Sequence, residues 1–289
     1  MDLKYFFQEN PKVALAFSGG VDSAYLLYAA MENGAQVRAY YVKSVFQPQF
    51  ELADARRLAA ELGADMRELK AEVLDPAIAA NPADRCYYCK KTIFAAIAEA
   101  AAADGFPVLM DGTNASDNAG DRPGMRALAE LSVRSPLREC GLTKDEIRRR
   151  SKEAGLFTWD KPAYACLATR IPTGTEITRE RLCRTEAAES YLAEIGLTDF
   201  RVRMIAADNR RTDGCGEPRR GMSGSSTDLP QGKMPGKPIS EVQPDITAGD
   251  SARIQVREQD IPLVLSRRQE ILDELKKYYN AVLLDLEVR

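Results

Sequence analysis

The sequence contains no histidine. That absence removes Ser-His-Asp triads, Cys-His dyads, HExxH metal sites and histidine-based deaminase centres from consideration. Any general base must then be Asp, Glu, Lys, Tyr or the substrate itself. Long apolar runs are also missing: none approaches the ~20 residues that span a bilayer, so no membrane partner is expected. Neither sign of charge dominates, since 40 basic residues against 43 acidic ones leave a net charge of −3. That balance does not advertise nucleic acid as a partner. The opening MDLKYFFQENPK lacks the form of a signal peptide and runs at once into a strand, so a cytoplasmic location is expected.

What is present is a chain of 289 residues, 45% hydrophobic and 29% charged, long enough for one large domain or two ordinary ones. Without histidine, a soft-metal site must draw on the six cysteines: Cys86, Cys89, Cys140, Cys166, Cys183 and Cys215. In a cytosolic protein such cysteines read as metal-binding or reactive before they read as disulfides.

The first half alternates apolar strand-like runs with helical segments. VALAF (13–17) stops at SGGVDS, a helical AYLLYAAMENG follows, and VRAYYV (37–42) is a second buried strand. Helix 51–63, strand-like MRELKA, an Ala-rich helix over about 90–103 and strand FPVLMDGTN (106–114) continue the alternation. The pattern predicts an α/β fold, a doubly wound parallel sheet with ligands at the C-terminal strand ends. LTKDEIRRRSKEAG carries a Thr143–Glu146 capping box, and a Pro- and Gly-punctuated loop beyond it sets the predicted boundary between residues 1–158 and 159–289. The second part reads as a smaller α+β domain, with a helix from about Thr178 to Ile195, strands FRVRM and ARIQV, a helix over 260–279 and a closing AVLLDLEV. Residues 205–250 hold 7 of the 19 glycines, 5 of the 15 prolines and no aromatic residue, and are expected to form a flexible insertion around an incidental Cys215.

Ser18-Gly19-Gly20-Val21-Asp22-Ser23 lies between a strand and a helix. Two glycines let backbone N–H groups approach an oxyanion, hydroxyls flank them, and the helix N-terminus adds its positive dipole. It is neither a Walker A loop nor GxGxxG. The hexapeptide resembles the SGGxDS signature of the PP-loop ATP pyrophosphatases. The resemblance implies ATP cleaved between its α and β phosphates and AMP transferred to a substrate oxygen. It also implies that the Ser and Gly positions hold pyrophosphate and that Asp22 helps to place Mg²⁺. Asp111 and Asn114 end a strand facing the same crevice, where nucleotide contact and Asx-turn capping compete as readings.

Cys86 and Cys89 bring two thiols together just before a Lys-Lys-starting helix, and Cys166, in ACLATR, is a natural third. By spacing alone, zinc and an iron–sulfur cluster are evenly matched. The segments KPAYACLATRIPTG, DRCYYCK, LTKDEIR and FRVR, with ARIQV and LLDLE, are similar to the LarE-type family of ATP-dependent sulfurtransferases in nickel-pincer nucleotide biosynthesis. That resemblance implies adenylation of a carboxylate on a small mononucleotide substrate, pyridinium biscarboxylic acid mononucleotide, followed by replacement of oxygen with sulfur. It implies one of two sulfur sources: Cys166 itself, sacrificed to dehydroalanine, or a sulfide on the open iron of a 4Fe–4S cluster with Cys86, Cys89 and Cys166 as its three ligands. A homo-oligomer is expected. Arg201 and Arg203 alternate along a strand, share one face and resemble the family's substrate-phosphate pair. Arg170 and Lys90 are further anion-contact candidates, and Glu189 resembles a family carboxylate near metal or substrate. Gln255 stands where the family has Glu, and the insertion replaces a His-rich turn. The rival readings are a PP-loop tRNA-thiolating enzyme, an ammonia-using PP-loop ligase and a nucleotide-binding regulator with structural zinc.

Overall fold

A computed structural model describes residues 2–117, 123–207 and 249–289. The first part runs α1 (Leu3–Glu9), β1 (Lys12–Ala16), α2 (Val21–Glu32), β2 (Gln36–Lys43), α3 (Gln49–Leu62), β3 (Asp65–Lys70), α4 (Pro76–Ala79), α5 (Arg85–Ala103) and β4 (Val108–Met110). After it come α6 (Pro123–Glu130), α7 (Pro136–Glu139) and α8 (Lys144–Glu153). Strands β3-β2-β1-β4 form one sheet in that order, and every pairing is parallel. The central β1 is an apolar run because both of its faces are covered, by α2, α7 and α8 on one side and by α5 on the other. Leu15 at its middle is fully buried, and its truncation to Ala would cost about 2–5 kcal/mol.

The second part holds a 3₁₀ turn at Leu167–Arg170, then α9 (Arg179–Glu194), β5 (Arg201–Ile205), β6 (Ser251–Gln255), α10 (Ile261–Ser266), α11 (Arg268–Leu275) and β7 (Ala281–Leu284). Its sheet is mixed, with β5 antiparallel and β7 parallel to the central β6. The core between this sheet and α9 also takes in Val45, Phe46, Val73 and Ile78 from the first part. Phe46 therefore reaches across, and its carbonyl accepts from Leu167 N at 2.9 Å, directly beside Cys166.

Three expectations shift. The cysteine pair does not precede its helix: α5 starts at Arg85, where the backbone turns after Pro82, so Cys86 and Cys89 lie one turn apart on one helix face. The helix expected over 260–279 is two, because Arg267 leaves helical dihedrals (φ −104°, ψ 18°) between α10 and α11. Thr143 caps α8 by accepting from Glu146 N, but the Glu146 carboxylate pairs with Arg149 and Arg150 rather than returning to the cap. The insertion, with Cys215, lies outside the described residues except at its ends. There Ile205 finishes β5, and the buried Asp250 accepts from Arg181 and Arg184. Among the described residues no helix is long and apolar enough to cross a membrane.

Candidate active site

The loop from Ser18 to Ser23 joins β1 to α2 at the C-terminal end of the parallel sheet. Ser18 Oγ and Ser23 Oγ lie 3.1 Å apart, and Ser23 Oγ donates to Gly20 O, so the two hydroxyls brace the loop from inside. Gly20 occupies the N-cap of α2 and supplies no side-chain cap. The first-turn N–H groups of a twelve-residue helix are therefore left for an anion, with the helix dipole behind them. Gly19 is required twice over: its φ is +71°, and a Cβ there would come within 3.2 Å of Ala55 in α3. Gly112, which the sequence reading passed over, backs the loop so closely that a Cβ would meet Ser23 N at 2.9 Å.

Asp22 is held by two partners, Lys144 Nζ at 2.6 Å and Asn114 Nδ2 at 3.3 Å. Asn114 thus reaches the loop through Asp22. Asp111 takes the capping alternative: its carboxylate accepts from Thr113 N, Thr113 Oγ1 and Ser135 Oγ, which shapes the loop that carries Asn114. A cavity of about 370 Å³ opens beside the loop, lined by Ser18, Gly20, Asp22, Lys144, Lys161 and Cys166. A neighbouring cavity of about 520 Å³ shares Ser18, Gly20 and Asp22 and adds Cys86 and Lys90. Lys90 has no hydrogen-bond or ion-pair partner among the described residues, so its ammonium is available to a ligand in that second cavity.

Cys166 and Cys86 face the loop through the two cavities, one in each. Arg85 ties the two supports together, donating to Asn81 Oδ1 and to Ala168 O (3.2 Å), with Cys86 Sγ at 3.9 Å. The Cys89 thiol is pushed up to about 12 by burial and then by the nearby Cys166 and Cys86. Burial also pushes the Cys166 thiol up; Arg85 opposes the shift and Cys86 adds to it. Cys89 thus lies within electrostatic reach of Cys166 and Cys86, and Cys166 within reach of Cys86. Even so, among the described residues no three His, Cys, Asp or Glu side chains form a group that could hold a metal ion. The donor chemistry suits a soft cluster, but the side-chain positions in this structure are not yet those of a ligand set.

Arg170 and Glu189 are paired with each other, and Glu189 also lines the cavity that Arg201 lines. Arg170 is fully buried; Nε and Nη2 grip Glu189 at 2.7 and 3.1 Å, and Nη1 donates to Ala165 O and Thr169 Oγ1. Glu189 also accepts from Tyr164 Oη (2.6 Å) and Val202 N (2.9 Å). These two residues hold the Cys166 loop to α9 and β5. Arg201 is also buried; it donates to the carbonyls of Phe200 and Ala163 and makes a long ion pair with Asp199 at 3.9 Å. Burial, and then the Arg170 charge, lower its pKa to about 10. Arg203 bonds to Gln255 Oε1 and Thr169 O, and burial followed by Arg170 lowers it as well. Gln255 thus supplies a neutral acceptor where a carboxylate would have neutralised Arg203. A cavity of about 250 Å³ with a largely apolar wall is lined by Arg201 together with Glu186, Glu189 and Asp199, and shares the segment from Lys161 to Tyr164 with the loop cavity.

Lys144, Lys161, Arg85 and Glu51 were not singled out from the sequence. Lys144, Lys161 and Arg85 lie beside or within segments that had drawn notice (LTKDEIR, KPAYAC and DRCYYC), so the signal was proximity to a motif. Glu51, in the first turn of α3, lines the loop cavity, and burial raises its carboxyl to about 7 against the opposing pull of Lys161.

No family model matches the chain. It is 38% identical over 207 residues to an uncharacterized protein of Synechocystis sp., covering 70% of this chain and 76% of that protein. It is 34% identical over 195 residues to the pyridinium-3,5-bisthiocarboxylic acid mononucleotide synthase of Lactiplantibacillus plantarum, covering 66% of this chain and 71% of the synthase. A tRNA-specific 2-thiouridylase of Thermotoga neapolitana is 27% identical over 196 residues, which is 52% of this chain and 54% of that enzyme.

Proposed function

Because the chain belongs to the LarE-type family of PP-loop ATP-dependent sulfurtransferases, we propose that it adenylates a carboxylate of a pyridinium biscarboxylate mononucleotide and replaces a carboxylate oxygen with sulfur. One observation carries the reading: Cys166 and the Ser18–Ser23 loop line a single cavity. ATP and Mg²⁺ occupy that cavity, with the pyrophosphate on the open N–H groups of α2 and Asp22 helping to place the metal. Residues 1–158 carry this step. Residues 159–289 carry the acceptor, whose phosphate meets Arg201 and Arg203, two partly desolvated cations of which Arg203 bonds to neutral acceptors and Arg201 keeps a long ion pair with Asp199.

A substrate carboxylate oxygen attacks the α-phosphorus, the bond to the β-phosphate oxygen breaks, and pyrophosphate leaves with the electron pair. The acyl-adenylate carbonyl is then open to a sulfur nucleophile, with AMP as the leaving group. In the sacrificial route the Cys166 thiolate forms a thioester. Loss of its Cα proton and cleavage of the Cβ–S bond then release the thiocarboxylate and leave dehydroalanine. A 4Fe–4S cluster held by Cys86, Cys89 and Cys166 would supply a renewable sulfide at its open iron instead.

Incubation with ATP, Mg²⁺ and the biscarboxylate mononucleotide is expected to yield pyrophosphate, AMP and a thiocarboxylate. Mass spectrometry separates the sulfur sources: hydrogen sulfide lost from Cys166 in one turnover, or an intact Cys166 with iron present. Pyrophosphate release with ammonia incorporated would assign the chain to the ligases instead. The 2-thiouridylase likeness favours tRNA as the competing acceptor. The net charge of −3 argues against it, and thiolated tRNA in the same assay would reverse that judgement.

A further inference from the structure

Resting on that functional reading, we infer that Lys161 is the cation that joins the two subsites: its ammonium leaves Asp54 to lie between the α-phosphate of ATP and the attacking carboxylate. The loop cavity and the cavity that Arg201 helps to line have four residues in common, Lys161, Pro162, Ala163 and Tyr164, so this short segment is their shared wall. Lys161 is its one cation. The segment is fixed at both ends by arginines. Arg148 donates to the carbonyls of Trp159 and Lys161 at 2.7 and 2.8 Å, and Arg201 donates to that of Ala163 at 2.7 Å. The backbone of Lys161 is therefore set, and only its side chain has room to move.

That side chain already points toward the nucleotide loop. Nζ lies 2.6 Å from Asp54 Oδ2 and 3.4 Å from Gly19 O, and the side chain is 15% exposed. Gly19 carries the left-handed turn of the phosphate loop, so the ammonium sits at the rim where the tail of a triphosphate enters. Glu51 lies close enough to feel the Lys161 charge, and Asp54 holds the ammonium through a carboxylate 31% exposed. That half-open ion pair is a modest constraint, and a phosphate can compete for its cation.

The chemistry asks for such a group. Carboxylate and α-phosphate are both anionic, and their approach is opposed until a cation lies between them. Lys144 pairs with Asp22, the residue that helps to place Mg²⁺, and Arg170 with the buried Glu189, whereas the partner of Lys161, Asp54, has no ligand to hold. Lys161 transfers no proton in the step: the carboxylate oxygen bonds to the α-phosphorus, the α–β bridging bond breaks, and the electron pair departs on pyrophosphate.

The test compares Lys161→Met and Lys161→Arg with the wild-type chain, reading pyrophosphate release with the mononucleotide and, separately, binding of a non-cleavable α,β-methylene ATP. For Lys161→Met, pyrophosphate kcat is expected to fall about 100-fold, while analogue affinity changes by less than about fivefold. Lys161→Arg is expected to recover at least a tenth of the rate. Retention of kcat within threefold in Lys161→Met would overturn the inference, as would parallel losses of rate and analogue binding, which mark a structural role in the loop. A Lys161→Met chain that fails to fold leaves Lys161→Arg to decide: it must show a lowered kcat with analogue binding intact. A wild-type chain that releases no pyrophosphate with the carboxylate overturns the functional reading itself, and this inference with it.

Discussion

Arg170 and Arg201 flank one ring. Their guanidinium carbons lie 4.7 and 5.5 Å from the centre of Tyr164, and both side chains are buried, yet their electrostatic situations are opposite. Arg170 has a bidentate carboxylate in Glu189, which raises its pKa although burial, the largest influence, acts to lower it. Arg201 donates to two carbonyl oxygens, has the Asp199 carboxylate only at 3.9 Å, and is lowered first by burial and then by Arg170. A buried cation that already has its anion builds structure. One without an anion retains the capacity to bind another. The contrast ties Arg170 to the architecture of the Cys166 loop and leaves Arg201 the less fully neutralised of the two.

The strongest way to break the comparison is Arg170→Met. It strands Glu189, which Tyr164 Oη and Val202 N cannot neutralise, and is expected to lower unfolding free energy by about 3–5 kcal/mol in denaturant melts. Adding Glu189→Gln, which keeps an acceptor for Val202 N, should recover part of that loss. Stability as high as wild type in the single variant would show that the pair is not structural. Arg201→Met should behave the other way round, with a smaller stability change and a rise in mononucleotide KM of about 10–100-fold, the worth of a charge-assisted contact. An unchanged KM would move the acceptor phosphate elsewhere.

The smallest effect concerns the other wall of the loop cavity. The Glu51 carboxyl is raised to about 7, so below that pH it is neutral, and above it an anion faces the nucleotide from α3. Lys161, Asp54, Lys43 and Arg170 are the charges that surround it. ATP affinity in the wild type should therefore weaken roughly three- to tenfold between pH 6 and 8. Glu51→Gln should remove that component. An identical pH profile in the variant would free Glu51 of any influence on the nucleotide.

The comparison also explains what could be read in advance. The phosphate loop was legible because its signal is local: an apolar strand, two glycines and a helix start lie within a dozen residues. Arg201 and Arg203 were legible as a pair for the same reason, being two apart on β5. The pairing of Arg170 with Glu189 was not, because 19 residues separate them and only the packing of α9 on the Cys166 loop brings them together. The early start of α5 escaped notice because Cys and Tyr are indifferent helix formers that announce no boundary. Lys161 was hidden in plain view, since its importance comes from the cavities on either side of it and not from its neighbours in sequence.

The central claim is that carboxylate activation and sulfur delivery are separate steps served by different residues around one cavity. Single-turnover assay of Cys166→Ala tests it most directly. With ATP, Mg²⁺ and the biscarboxylate mononucleotide, the variant should release pyrophosphate at near the wild-type rate and accumulate acyl-adenylate without thiocarboxylate. Thiocarboxylate formed at the wild-type level by Cys166→Ala would contradict the account.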